Sequence, residues 1–180
     1  MSALVDRAIQ DAGLAAVREA RRLGPLGEQD VRALRTADLL ALGALADRVR
    51  AEEVGDEVRI YTSAPEDEVG VTVLPAPGSN ATGLELLREI AIARIVGGGA
   101  RVRVDWTRCG LELAQVALGF GANELVGRIA SKRGLPLADD ERLGVGKKSR
   151  SELATVVKRM ELEGFVLRAG RTPSFMSEGP

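Results

Sequence analysis

Histidine is absent from these 180 residues, and cysteine occurs once, at position 109. That removes histidine acid–base chemistry, Ser-His-Asp triads, the usual Cys/His zinc sites and any iron–sulfur cluster held by four thiolates of one chain. One thiol cannot close an internal disulfide either, as expected in a reducing compartment. Aromatic residues are scarce, with three Phe, one Tyr and one Trp, so the core must be built from Leu, Val, Ile and Ala. Charge of neither sign is in excess: 25 Lys and Arg against 26 Asp and Glu give net −1, with no overall pull towards nucleic acid or an anionic membrane. No stretch approaches about 18 uncharged apolar residues. Asp6 and Arg7 carry charge where a signal peptide needs an apolar run, so a cytoplasmic protein with no membrane contact is expected.

What is present, 45% hydrophobic and 28% charged residues, fits one globular domain with a self-sufficient core. Leu4, Val5, Ala8, Ala12, Ala15 and Ala16 recur at helical spacing, and Arg18, Arg21 and Arg22 load the far end as the helix dipole favours. The spacing predicts one helix over residues 3–22. Gly24-Pro25-Leu26-Gly27 ends it, and a second helical region starts near Glu28. A third follows a Thr36 cap, with Leu39, Leu42, Leu45, Ala46 and Val49 on one face.

Past Gly55-Asp56 the period changes to two. Val58, Ile60 and Thr62 alternate with Arg59 and Tyr61, and Val69, Val71 and Val73 alternate again, which reads as two strands, a hairpin being one arrangement of them. Thr82-Gly83-Leu84-Glu85 has the capping-box form opening a helix through Leu84, Leu87, Ala91 and Ile95, closed by Gly97-Gly98-Gly99. Arg101 to Trp106 alternates as a strand, and Leu111 to Phe120 is apolar enough to predict a mostly buried helix. Strand and helix thus alternate, the grammar of an α/β fold.

Residues 128–180 hold eleven Lys and Arg against seven Asp and Glu, while residues 1–127 hold fourteen against nineteen. We therefore divide the chain into residues 1–127, a helical N-terminal segment plus α/β core, and residues 128–180, a basic C-terminal helix and tail packed on that core. In the tail, Ser149-Arg150-Ser151-Glu152 caps a helix with Leu153, Val156, Val157 and Met160 on its face and Gly164 as its stop. Phe165-Val166-Leu167 then reads as a short strand.

Several positions invite a functional reading. Arg101, Arg103 and Asp105 form a row at the carboxyl end of a strand, where parallel sheets place ligands; a solvated strand face is the plainer reading. Ser79 and Asn80, within the Gly78–Gly83 loop, precede a helix and are the better anion candidates, although no phosphate-loop pattern is met. Gly97-Gly98-Gly99 follows a helix, so it reads as a stop. Cys109 beside Arg108 would have a lowered pKa if the cation reached it; otherwise it is a small residue at a turn. Lys147, Lys148, Arg150, Lys158, Arg159 and Arg168 make residues 149–171 the basis of an alternative, a winged-helix-like DNA-binding protein. A local excess of four positive charges is modest for that task.

Three segments carry a resemblance. Leu39-Leu40-Ala41-Leu42-Gly43-Ala44-Leu45-Ala46-Asp47-Arg48 with the strand Val58-Arg59-Ile60-Tyr61 is one. Leu86 to Arg94, Val104-Asp105-Trp106 and Gly110 to Glu124, ending Phe120-Gly121-Ala122-Asn123-Glu124, form the second. Glu161-Leu162-Glu163-Gly164-Phe165 up to Arg171-Thr172-Pro173 is the third. Together they resemble the radical S-adenosylmethionine (SAM) enzymes of the futalosine route to menaquinone, aminofutalosine synthase and dehypoxanthine futalosine cyclase; deazaflavin cofactor synthases are similar. In that family three closely spaced cysteines follow the strand matched by Tyr61 and hold a four-iron cluster. Here Pro65-Glu66-Asp67-Glu68 stands in that stretch, and Asn123-Glu124 replaces the usual acidic pair.

The resemblance implies a truncated relative of the (β/α) barrel, a small sheet with flanking helices, a helical N-terminus and a C-terminal helix. No catalytic residue, cofactor or metal is expected. The function it implies is that of a non-catalytic accessory protein or pseudoenzyme related to futalosine-pathway menaquinone biosynthesis, acting by protein or small-molecule binding. A cut-down barrel leaves sheet edges open at Val58–Thr62, Val69–Val73 or Val102–Trp106, so a homodimer, or a heterodimer with a radical SAM family member, is expected.

Overall fold

A computed structural model describes residues 3–62, 70–72, 82–97, 99–130 and 157–176. The N-terminal region is helical, but the first helix is two: α1 (Ala3–Asp11) and α2 (Leu14–Leu23). Gly13 at φ 72° separates them. Side chains rarely adopt that left-handed conformation, so glycine breaks a repeat that apolar spacing alone reads as continuous. Helix α3 (Glu28–Thr36) and helix α4 (Leu39–Glu53) follow. The cap of α4 is Asp38, whose Oδ1 accepts the Ala41 N–H at 2.9 Å, and not Thr36, the last residue of α3. Leu42, Leu45, Ala46 and Val49 are buried as the α4 spacing predicts.

Strands β1 (Glu57–Tyr61) and β2 (Gly70–Thr72) are not a hairpin. After α5 (Gly83–Gly97) come β3 (Arg101–Asp105), the short α6 (Trp106–Cys109), α7 (Leu111–Leu118) and β4 (Glu124–Val126). Strand β5 (Ile129–Ala130) pairs in parallel with β6 (Val157–Lys158), and α8 (Arg159–Arg168) leads into β7 (Thr172–Phe175). The main sheet has the order β2-β3-β4-β1-β7, with every pair parallel. Strands β1 and β2 are separated in the sheet by β3 and β4, and the parallel pairing throughout leaves no place for a tight reversal between neighbours. The fold is thus α/β with a small parallel sheet, as expected. Strands β1 and β3 are interior; the outer strands are β2 and β7.

Val58, Ile60, Val102, Val104 and Leu125 point to one face and join the buried residues of α4, α5 and α7 in a single core. The capping box at α5 forms as predicted: Glu85 Oε2 accepts the Thr82 N–H at 2.6 Å, which holds that carboxyl below its ordinary pKa. Leu84, expected on the apolar face, is exposed. Helix α7 buries Ala114, Ala117 and Leu118, but Val116 is 49% exposed, so the helix is covered on one side instead of all round.

The C-terminal region departs furthest from expectation. Gly164 lies inside α8, and Phe165-Val166-Leu167 continues that helix instead of forming a strand. Val166 and Leu162 are buried together on one helical face, and that burial outweighs the β preference of the Phe-Val-Leu run. No wing follows: β7 joins the main sheet beside β1, with Thr172 N–H donating to Asp56 O at 2.9 Å and Met176 N–H to Ile60 O at 3.0 Å. The helix-into-wing geometry behind the DNA reading is absent from residues 157–176.

Candidate functional site

A sheet whose strands are all parallel is ordinarily apolar on both faces. Here β1 and β3 alternate charged and apolar residues, so the face opposite the core carries Arg59, Tyr61, Arg101, Arg103, Asp105 and Glu124. The register sets Arg103, Glu124 and Arg59 side by side across β3, β4 and β1. Asp105, Val126 and Tyr61 form the next row, at the carboxyl ends. That is the end at which open parallel sheets bind their ligands.

Glu124 is the hub. It is fully buried, and Arg103, only 3% exposed, donates to its Oε2 from Nε at 2.9 Å and lies 2.7 Å away through Nη2. Arg101 Nε is 3.6 Å from Oε1, and the Tyr61 hydroxyl donates to the same oxygen at 3.4 Å. The Arg103 guanidinium also lies 5.3 Å from the centre of the Tyr61 ring. Arg59, paired with Glu57 at 3.3 Å, has its pKa raised above the ordinary arginine value chiefly by its hydrogen bond to Tyr61. A chain of polar contacts therefore runs from Glu57 across the sheet to Arg103.

Of the residues singled out from sequence, Arg101 and Arg103 are brought together on one carboxylate. Asp105 is not, because its Oδ1 caps α6 by accepting Thr107 N–H at 2.8 Å and the Thr107 hydroxyl at 2.6 Å. Ser79, Asn80, Lys147, Lys148 and Arg150 lie outside the described residues. Lys158, Arg159 and Arg168 are exposed; Arg159 pairs with Glu163 and stacks 4.0 Å from Phe175, and Arg168 stacks 4.9 Å from Phe165. Sequence reasoning missed Tyr61, Arg59 and Glu124 as members of the site. The signal was available in the period-two alternation of β1, which puts its polar residues on the face that Arg101 and Arg103 share.

The Phe120–Glu124 motif builds the other side of the hub. Asn123 Oδ1 accepts from Val102 N–H at 2.8 Å and from Arg94 Nη2 at 2.6 Å, and its carbonyl accepts Arg59 N–H at 3.0 Å. Arg94, fully buried on α5, also donates to Gly121 O at 2.8 Å and Ala100 O at 2.6 Å. Burial lowers its pKa to about 10. Gly127 follows β4 with no room for a side chain, since a Cβ there would lie 2.3 Å from the Trp106 ring. The hub is thus fixed from behind by a buried guanidinium and from its carboxyl end by an indole.

Cys109 is half-buried, and burial followed by the nearby Asp105 carboxylate pushes its pKa up to about 11. It is not an activated thiol: the neighbouring Arg108 does not reverse that shift. Among the described residues no group of three or more His, Cys, Asp or Glu side chains could hold a metal ion. The donor set does not fit a four-iron cluster, which needs three thiolates where this chain has one with a raised pKa. No helix among the described residues is long and apolar enough to cross a membrane.

No protein-family model matches the chain. Two curated proteins do, both called 5-amino-6-(D-ribitylamino)uracil–L-tyrosine 4-hydroxyphenyl transferase 2. The protein of Methanosarcina barkeri is 32% identical over 107 residues, 58% of this chain and 25% of its own length. That of Methanosarcina mazei is 33% identical over 107 residues, with the same shares. The chain spans about a quarter of the length of these relatives. Over that partial region and at low identity, the chain is thus similar to proteins named as 4-hydroxyphenyl transferases. Neither name refers to futalosine or menaquinone.

Proposed function

We propose that this chain is a non-catalytic relative of the radical SAM enzymes that binds a polar small molecule on the charged face of its parallel sheet. One observation supports the reading above others: Glu124 and Arg103 are buried charges, held in register one row in from the ligand-binding end of the sheet, in a chain with a single thiol. Buried charge is costly and is not needed for folding, since apolar pairs of similar volume do as well or better. The guanidinium, phenol and carboxylate groups offer donors and acceptors suited to a pyrimidine with a polyol or amino-acid side chain. The substrates named for the relatives are of that kind; futalosine-type nucleosides, favoured by the sequence resemblance, are the second class. Partnership with a second copy, or with a fuller radical SAM protein, through the outer strands β2 and β7 belongs to the same proposal.

Calorimetric titration with 5-amino-6-(D-ribitylamino)uracil, L-tyrosine and aminofutalosine tests the reading. Saturable binding by one of them, weakened at least about ten-fold in Arg101→Gln, is expected from loss of a charged contact. Anaerobic reconstitution with iron and sulfide is expected to give no stoichiometric cluster and no cleavage of S-adenosylmethionine. A stable cluster at one per chain would overturn the proposal.

A further inference from the structure

Among the described residues, three guanidinium nitrogens between the α1–α2 pair and α4 are buried without a hydrogen-bond partner: Nε and Nη2 of Arg48 and Nε of Arg18. The Arg48 side chain is 4% exposed, and its contact is a single bond from Nη1 to Asp6 Oδ1. Arg18 reaches Glu52 through Nη2 at 2.9 Å. Positions 48 and 52 are one turn apart on α4, so both guanidinium groups serve the same helix face. Buried donors on a charged group are almost always satisfied, and orphans of this kind point to a group that is yet to bind.

The geometry of the orphans is specific. Nε and Nη2 are the side edge of the guanidinium fork, two parallel N–H directions that match the two oxygens of a carboxylate or phosphate. We propose that this edge is a binding site for the oxyanion group of a small molecule, a carboxylate or a phosphate, which enters between α1 and α4 in exchange for Asp6. Charge balance requires the exchange. Arg18 and Arg48 already face Asp6 and Glu52, and these positions lie in the C-terminal half of α4, where the helix dipole opposes further negative charge. Asp6 is the group able to leave: it is 56% exposed, it engages Arg48 through one nitrogen, and it sits on a nine-residue helix with one buried residue, Ile9. An incoming carboxylate replaces the Asp6 charge one for one, a phosphate brings up to one more negative charge, and either oxyanion makes two bonds to the edge. The site lies among the helices and is independent of the sheet face treated above.

The test uses the full chain, with inorganic phosphate and acetate as separate probes against sodium chloride at matched ionic strength. Arginine Nε–H resonances of Arg48 and Arg18 are expected to move saturably, and Tm to rise by roughly 5 °C or more at a hundred-fold excess over Kd. A response to phosphate alone assigns a phosphate-bearing ligand, and one to acetate a carboxylate; either supports the site. Asp6→Asn removes the competing carboxylate and is expected to bind several-fold tighter. Arg48→Lys keeps the charge but not the fork, and is expected to bind at least about ten-fold more weakly. Should Arg48→Lys not fold, the Asp6→Asn affinity and the wild-type Nε–H titration decide. Absence of a response to both anions, unchanged affinity in Arg48→Lys, or an Arg48 Nε–H that contacts water alone would overturn the proposal.

Discussion

Replacing Arg94 with Met separates two roles that a buried guanidinium can have, strut or burden. Methionine fills a similar volume without charge, and three acceptors lose their donor: Gly121 O, Ala100 O and Asn123 Oδ1. Bonds from a charged donor are worth about 1.5–3 kcal/mol each, so their loss amounts to roughly 4.5–9 kcal/mol. Against this, burial lowers the Arg94 pKa from the ordinary arginine value to about 10, so its surroundings disfavour the charge. At 1.36 kcal/mol per unit that is about 3 kcal/mol, which the substitution relieves. The expected net effect is a destabilisation of about 4 kcal/mol. Urea unfolding followed by the emission of Trp106, the single tryptophan and fully buried beside Gly127, measures it directly. Asn123→Ala should cost less, because the two main-chain carbonyls keep their donor. A midpoint for Arg94→Met at or above wild type would refute the strut and leave the guanidinium a buried burden. The sign of the pH effect follows from the same shift. Because the folded pKa is depressed, the penalty is fully present below about pH 10 and is relieved only as pH rises towards the ordinary arginine value.

Glu124→Leu strands the buried Arg103 and should cost about 3–5 kcal/mol, whereas Glu124→Gln, which keeps an acceptor, should cost about half of that or less; urea midpoints compare them. Gly127→Ala drives a methyl group into the Trp106 ring and should destabilise by about 2–4 kcal/mol, with a red shift of tryptophan emission in the folded protein. With its pKa near 11, Cys109 should have only about one molecule in a thousand as thiolate at pH 8, so its reaction with a disulfide reagent should be slow there and accelerate towards pH 11. In stability the sign is opposite to that of Arg94: the contribution of the buried thiol is complete below pH 9 and is lost as pH rises through 11.

The element order was legible because burial follows spacing in α4, β1, α5 and β3, where apolar residues repeat at the period of the structure they form. The errors fall where local signals compete with distant partners. Gly13 breaks a helix that its neighbours support, and Phe165-Val166-Leu167 is helical because Val166 finds a buried position against the core. Sheet order was not legible, since strand alternation carries no information about which strand lies next to which. The candidate site was half legible for the same reason. Arg101 and Arg103 share a strand and were seen together, but their carboxylate comes from β4 and their phenol from β1.

The place of β1 in the sheet also bears on how the chain acquires its structure. Arg59 pairs with Glu124, and Val58 with Pro173, so the first strand to be synthesised is flanked by two of the later ones. At roughly 5–20 residues per second, a ribosome needs on the order of 5–25 s between making β1 and making β7. The edge that β7 covers lacks its partner throughout that interval, and the edge that β4 covers for rather more than half of it, which is long compared with the folding times of small α/β domains. A nascent strand in that position is an invitation to pair with another chain. Glu57 and Arg59 put charge on β1 during the wait, a guard against aggregation made of the same residues that later line the polar face.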